Sequence, residues 1–412
     1  MKIAVIGSGI SGLSAAYYLS KKHKVDLFEK NDHFGGHSHT LDLNINKKKI
    51  SADIGFIVFN YKTYPNLINF FKDNSIEIEE SNMSFSVSVK DTNFEYCGKG
   101  ISGMFCNTSN LFNLKFLKMF FDIIKFYKKN ENFKTDDNNL TLGDYLNKEK
   151  LSKEFIDYHI IPMVAAIWSM PPYEASQMPL KFFLKFFQNH GLFKLKNRPK
   201  WYTVSNRSRT YVNKILNKIS GEYYKNYKIN LIKRYKENVE IFYGEKNEFF
   251  TYDKVVIATH ADEALSLLEN PSEDEKKLLS NFKYKSNLAI IHTDKNQMPK
   301  NKKAWSAWNA KLNKNVIENS SVTYWLNLLQ NLKFNENIFL TLNPFDEIDE
   351  QKILYRVTFT HPYYDKLALE NQTRLKKLQN VNNTLFCGSY FGYGFHEDGI
   401  TSSIDMLKSI ND

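Results

Sequence analysis

Arginine is scarce in this chain of 412 residues. Only Arg198, Arg207, Arg209, Arg234, Arg356 and Arg374 stand among its 56 basic residues, so most of the formal charge of +11 comes from lysine. Cysteine is scarcer still. Cys97, Cys106 and Cys387 have neither metal-ligand spacing nor an even pairing, which predicts reduced structural thiols and no disulfide framework. No apolar run reaches the length of a membrane span. The first apolar run begins at residue 2, which leaves no room for a leader and points to the cytoplasm. A Ser-His-Asp order, a zinc spacing and a phosphate-binding lysine motif are all missing. That argues against hydrolase, metalloenzyme and kinase chemistry, and no metal site is expected. No basic helix or nucleic-acid motif accompanies the charge, so no nucleic acid is expected as a partner. What remains is a solvated basic surface, contact with an anionic membrane, or an acidic substrate. Three of the six arginines fall between 198 and 209, which makes Arg198, Arg207 and Arg209 a candidate anion anchor.

Hydrophobic residues make up 42% of the chain, enough for one large core or two intergrown domains. The rest is organised around the first forty residues. Lys2-Ile3-Ala4-Val5-Ile6 reads as a buried strand. Gly7-Ser8-Gly9-Ile10-Ser11-Gly12 is G-x-G-x-x-G, and Leu13 to Leu19 has helical composition. Val25-Asp26-Leu27-Phe28 is a second strand, ending at Glu29 and Lys30. This is the strand, glycine turn, helix, strand and acid order of a dinucleotide site. The turn would bring a pyrophosphate onto the helix N-terminus. Glu29 would accept hydrogen bonds from the adenosine ribose, with Lys30 among the candidate contacts.

Residues 61–200 change character. The periodicity predicts a helix from Leu111 to Tyr127, with Phe112, Phe116, Met119, Phe120, Ile123 and Tyr127 on one face and lysines on the other. Pro179 to Gly191 repeats that flavour. Residues 200–265 return to the nucleotide fold, and strand-like runs in 266–379 suit a sheet over a substrate cavity. The expected division is a discontinuous cofactor domain of residues 1–60, 200–265 and 380–412. Residues 61–199 and 266–379 are expected to form the substrate domain.

The glycine pair Gly35-Gly36, followed by Asp53-Ile54-Gly55, resembles the flavoprotein superfamily that includes amine oxidases, protoporphyrinogen oxidases and phytoene desaturases. That resemblance implies an α/β fold: a Rossmann-type FAD-binding domain with an intergrown α+β substrate domain. It also implies non-covalent FAD. His37 stands where the superfamily usually carries an arginine near the pyrophosphate. Asp53-Ile54-Gly55 would run its backbone past the flavin ring. Ile229 would meet the adenine, and Ala258-Thr259 would lie near the pyrophosphate. Gly388-Ser389 would return the chain to the cofactor. The helix opened by His396, with Gly399, Ile400 and Thr401 in it, would aim its N–H groups at the flavin.

Further stretches resemble one bacterial family of predicted NAD/FAD-binding, amine-oxidase-like proteins. Among them are Gly55 to Asn60, Ala166 to Ser169, Asn189 to Leu192, Trp201 to Val204 and Phe391 to Gly399. The family usually has Gly-Gly at the positions of Asn206-Arg207. Its genes often accompany cyclopropane-fatty-acid-synthase-like methyltransferases, which implies a lipid methyltransferase as a partner. His396 aligns with the aromatic cage position of amine oxidases and is the leading catalytic candidate, as an acid or base near neutral pH. Tyr390 and Tyr393 flank it. Trp168, His190, Trp305, Trp308, Asn309 and Tyr324 are weaker candidates for the pocket. The first reading is an FAD-dependent oxidoreductase that desaturates or isomerises an apolar, fatty-acyl or lipid, substrate, with peripheral contact at the inner membrane face. The alternatives are a flavin-containing amine oxidase and a non-catalytic flavin-binding partner of a methyltransferase.

Overall fold

The computed structural model describes residues 1–135, 137, 139–246, 248–313 and 320–410. A five-stranded parallel sheet runs in the order Thr384–Phe386, Lys254–Ile257, Lys2–Ile6, Lys24–Phe28 and Tyr223–Tyr224. The strand Lys2–Ile6 sits in the middle because both its faces are apolar. Ile3 and Val5 enter one core, while Ala4 and Ile6 enter another. The first core lies under the helices Ile10–Leu19, Pro65–Asp73, Ser208–Leu216 and His396–Lys408. The second is covered by a three-stranded antiparallel sheet, Ile229–Arg234, Val239–Tyr243 and Glu248–Tyr252. The chain leaves the central strand to one side and returns to the other. The carboxyl end of Lys2–Ile6 is therefore the switch point, where open α/β sheets bind ligands.

A seven-stranded sheet faces this domain, in the order Ile353–Tyr363, Lys283–His292, Phe339–Leu342, Ser320–Trp325, Trp308–Leu312, Phe85–Val89 and Glu95–Cys97. Its pairs are antiparallel except for Phe85–Val89 with Trp308–Leu312, which are parallel and far apart in sequence. A helical part completes the substrate side, with Leu114–Asn130, Ile161–Trp168 and Leu180–Asn189 as its principal helices. The last of these buries Phe182, Phe183, Phe186 and Phe187.

Two stretches make contacts across the expected division. Residues 61–81 pack against the cofactor side. Phe70 and Phe71 are buried against Tyr17 and Tyr211, and Ile78–Ser81 pairs with Trp201–Val204. Residues 266–282 also side with it, because Glu275 on the helix Glu273–Leu279 holds the buried Arg234 in a two-pronged ion pair. The helix expected over 111–127 begins at Leu114, capped by Asn113, whose Oδ1 accepts from the N–H groups of Lys115 and Phe116. Phe112 lies before that cap and is exposed, so it does not join Phe116, Met119, Ile123 and Tyr127 in the core.

Candidate active site

The glycine turn follows directly from the packing around it. Gly7 takes φ +98°, a left-handed value that a side chain resists, and passes close to the carbonyl of Ala258. A Cβ on Gly12 would lie 1.8 Å from the Gly7 oxygen, so only glycine lets the helix Ile10–Leu19 start there. Gly9 is different, because a Cβ there would meet nothing within 4 Å. It caps the helix with no side-chain hydrogen bond, leaving the first N–H groups facing an open cradle.

Glu29 ties that turn to the second strand. Its Oε2 accepts from Ser8 N at 3.1 Å and Ser8 Oγ at 2.5 Å, and its Oε1 accepts from Asn31 N and Nδ2. Ser8 Oγ in turn accepts from Gly35 N at 3.1 Å, which fixes the glycine pair beside the loop. A Cβ on Gly36 would come within 3.0 Å of the Gly9 Cα.

One cavity of about 930 Å³ begins at this loop and runs between the two large sheets. Its wall includes Gly7, Ser8, Gly9, Ile10, Ser11, Glu29, Lys30, Gly36, His37, Ile54, Gly55, Ile229, Ala258, Thr259, Gly388, Ser389, Tyr390, Tyr393 and His396. Gly12, Gly35, Asp53, Gly399, Ile400 and Thr401 stand behind that wall. Gly399 marks the crossing of two helices, where a Cβ would press on Ile10 and Ser11 at 2.8 Å. Ile400 is fully buried in the core beneath the nucleotide helix, and Thr401 Oγ1 accepts from Asn66 Nδ2.

The Asp53 carboxylate is a brace. It accepts from Thr40 Oγ1 at 2.5 Å and from Ser208 N and Oγ at 2.9 to 3.1 Å, which caps the helix Ser208–Leu216. Burial pushes it up to about 6, although these bonds oppose the shift. Its backbone is clamped by Gln330, which accepts from Asp53 N and donates to Asp53 O. That clamp joins the cofactor domain to the seven-stranded sheet, and sequence patterning gave no sign of Gln330.

The arginine cluster does not converge. Arg209 donates to Asp42 Oδ2 at 2.7 Å and to Thr40 O, and Arg207 donates to Ser51 O. Arg198 donates to the Lys194 carbonyl. None of the three lies on the cavity wall. Local carboxylates and carbonyls claim them, so the expected anion anchor is not formed.

His396 opens the helix His396–Lys408. Its Nε2 is hydrogen-bonded to Ser38 Oγ at 2.9 Å, and Ser38 Oγ is also bonded to the Tyr211 hydroxyl. Burial pushes the imidazole down to about 3, so it is neutral at neutral pH rather than poised to titrate there. The Tyr390 ring packs on Phe282 and Phe391, and its hydroxyl is buried without a partner among the described residues. Tyr393 packs on Phe182 at 4.8 Å. Around it an aromatic wall forms from Trp168, Phe186, His190, Trp201 and Phe395. Trp308 and Tyr324 line the cavity too. Trp305 and Asn309 do not, and Asn309 is buried in bonds to Ser86, Ser306 and Thr323.

His37 bears on what the cradle holds. Its half-buried ring packs against Phe359 and His361, and its buried Nε2 has no partner among the described residues. Desolvation and the nearby His361 and His260 push it well below the usual histidine range. An open helix N-terminus, a glycine with free space on its Cβ side and an unpaired buried imidazole nitrogen fit the pyrophosphate of a dinucleotide. No group of three or more potential metal ligands occurs among the described residues.

A family model described as an NAD(P)-binding Rossmann-like domain matches residues 5–73. The 1-hydroxycarotenoid 3,4-desaturase of Flavobacterium sp. (strain P99-3) is 44% identical over 69 residues. That stretch is 16% of this chain and only 13% of the length of that relative. The fold is similar over nearly the whole chain to the CLA-producing fatty acid isomerase from P. acnes. There the TM-score is 0.68 at 15% identity, covering 98% of this chain and 97% of that one. Cyclohexylamine oxidase from Brevibacterium oxydans IH-35A matches with a TM-score of 0.65 at 14% identity, covering 100% and 99%. The chain therefore has the α/β fold of these solved structures, a Rossmann-type domain with an intergrown α+β domain, and its glycine-loop residues fit a dinucleotide.

Proposed function

We propose that the protein is an FAD-dependent oxidoreductase that takes hydride from a long apolar chain, fatty-acyl or lipid, and either removes a proton as well and leaves it desaturated, or returns the hydride at another carbon and leaves it isomerised. The observation that carries this reading is the chemistry of the cavity. Its far end is lined by Met83, Ile167, Leu192, Leu329, Leu340, Leu342 and Val357 together with the aromatic wall. Its acidic residues, Glu29, Asp32 and Glu263, all sit with the nucleotide loop elements, so the apolar end offers no carboxylate to hold an ammonium group. A bound flavin supplies the hydride acceptor at N5. The protein's own part is to place one C–H bond and exclude water. The neutral His396, fixed by Ser38, lines the same cavity. The resemblance to a family found beside cyclopropane-fatty-acid-synthase-like methyltransferases supports the same substrate class, as does the fatty acid isomerase among the proteins of similar fold.

Anaerobic bleaching of the flavin by panels of lipids and amines tests this, followed by mass spectrometry of the lipid. Loss of two hydrogens means desaturation, and an unchanged mass with a moved double bond means isomerisation. Rapid bleaching by a simple amine, with none by any lipid, would overturn the lipid reading in favour of an amine oxidase. A flavin that nothing reduces, with no lipid changed in mass or double-bond position, would favour the non-catalytic partner.

A further inference from the structure

Four of the five most exposed large apolar side chains among the described residues fall within 21 positions of one another. They are Phe112 at 88% exposure, Leu114 at 80%, Ile101 at 74% and Phe121 at 65%. Chain connections hold them on one side of the helical part. Phe112 ends the turn just before the Asn113 cap, and Leu114 is the first residue of the helix. The short helix carrying Ile101 is fastened beside it by Phe105, whose ring packs on Phe116 and Phe120, and by Asn110 Nδ2 donating to the Met104 carbonyl.

On the helix Leu114–Asn130, positions 114, 118, 121 and 125 form one stripe. That stripe is Leu114, Lys118, Phe121 and Lys125, diametrically opposite the buried face of Phe116, Met119, Ile123, Phe126 and Tyr127. The helix is thus apolar on both faces, and its outer face alternates large apolar groups with cations. Residues 99–130 hold six lysines and one acid, Asp122. Asp122 is spent on Ser152 N, while Lys118, Lys125 and Lys128 make no ion pair among the described residues.

We infer that this face docks the protein on an anionic phospholipid bilayer. The helix would lie along the surface, with Ile101, Phe112, Leu114 and Phe121 in the headgroup layer and the free lysines against lipid phosphates. The charge pattern argues for that occupant over a second copy, since a two-fold contact would set lysine against lysine. No helix among the described residues is long and apolar enough to span the membrane, so the contact is peripheral. This inference rests on the reading above, because an apolar chain is drawn from a bilayer, but it is tested without turnover.

The full chain, loaded with flavin, is floated with vesicles of phosphatidylcholine alone and of an equal mixture with phosphatidylglycerol. The expected result is flotation with the mixture, little with phosphatidylcholine, and release at high salt. Lys118→Glu with Lys125→Glu should weaken binding well over tenfold, since each lysine near an anionic surface is worth about fivefold. Phe112→Ser with Phe121→Ser should abolish flotation while the flavin spectrum stays unchanged. If those variants misfold, Phe112→Trp in the otherwise native chain should shift its fluorescence to the blue on the mixed vesicles. Absence of both flotation and a blue shift overturns the inference, whatever the lipid and amine panels show. A native dimer that the serine variant dissolves would overturn it in favour of a second copy.

Discussion

The imidazole of His396 lies flat on the ring of Phe56, with centroids 3.6 Å apart and planes 12° from parallel. The stack covers one face, Ser38 holds Nε2, and burial keeps the ring neutral. A group held this way offers a positioned hydrogen bond more readily than a proton reservoir. His396→Phe should keep the flavin and slow its reduction by the true substrate by about 10²-fold, the low end for a positioned polar group. His396→Gln should recover part of that loss. Stopped-flow reduction of the bound flavin measures both, and a native rate in the Phe variant would make His396 a packing residue.

The two central glycines of the loop should fail differently. Gly9→Val places its side chain in the open cradle, so the chain should fold but purify colourless. Gly12→Val drives its Cβ into the Gly7 carbonyl and should prevent folding. Flavin absorbance together with circular dichroism separates the two outcomes.

Arg207 holds φ 78° and ψ 161°, a region essentially reserved for glycine. Asn206 before it is also left-handed. Arg207→Gly should relieve about 1–3 kcal/mol of backbone strain. Against that stands the loss of the Nε bond to Ser51 O, about 0.5–1.5 kcal/mol. A small net gain in thermal midpoint is expected, and a fall of several degrees would mean that the side chain matters more than the backbone.

Stability should rise with pH through the mildly acidic range. His159, His190, His292 and His396 are pushed by burial from 6.5 down to about 3 or 4. Below about pH 6.5 the unfolded chain binds protons at these sites and the folded chain does not, so their contribution is lost as pH falls toward the folded values. Asp53 and Asp398, raised from 3.8 to about 6, act in the opposite sense. Their contribution is present below 3.8 and lost as pH rises through 6. Four histidines outweigh two acids, so the urea midpoint should climb between about pH 4.5 and 6.5. A flat profile would mean that water reaches these imidazoles in the folded state.

The parts of the site that sequence made legible are local. The first strand, glycine turn, helix and Glu29 lie within thirty residues, and each carries its own steric reason. Even Asn206-Arg207, which replace an expected glycine pair, keep the left-handed backbone that such a pair would serve. The parts that sequence hid depend on distant partners. Asp53 is taken up by Ser208 and Gln330, and the arginines by Asp42 and Ser51, through pairings more than a hundred residues apart. The periodicity of the helix after Asn113 gave Phe116, Met119, Ile123 and Tyr127 of its buried face and missed Phe126. It could not reveal that Leu114 and Phe121 point the other way, because a lysine-rich face reads as solvated unless its apolar members are placed one by one.

The crossing of the helices Ile10–Leu19 and His396–Lys408 at Gly399, with Thr384–Phe386 at the edge of the same sheet, has a consequence for synthesis. The cradle is begun by residues 7–12 and finished by residues 388–399, which are made much later in the same chain. While the segments between them are being made, the nucleotide site of the nascent chain stays open. Flavin loading then waits for residues 384–399, and a chain stalled before residue 384 should emerge without its colour.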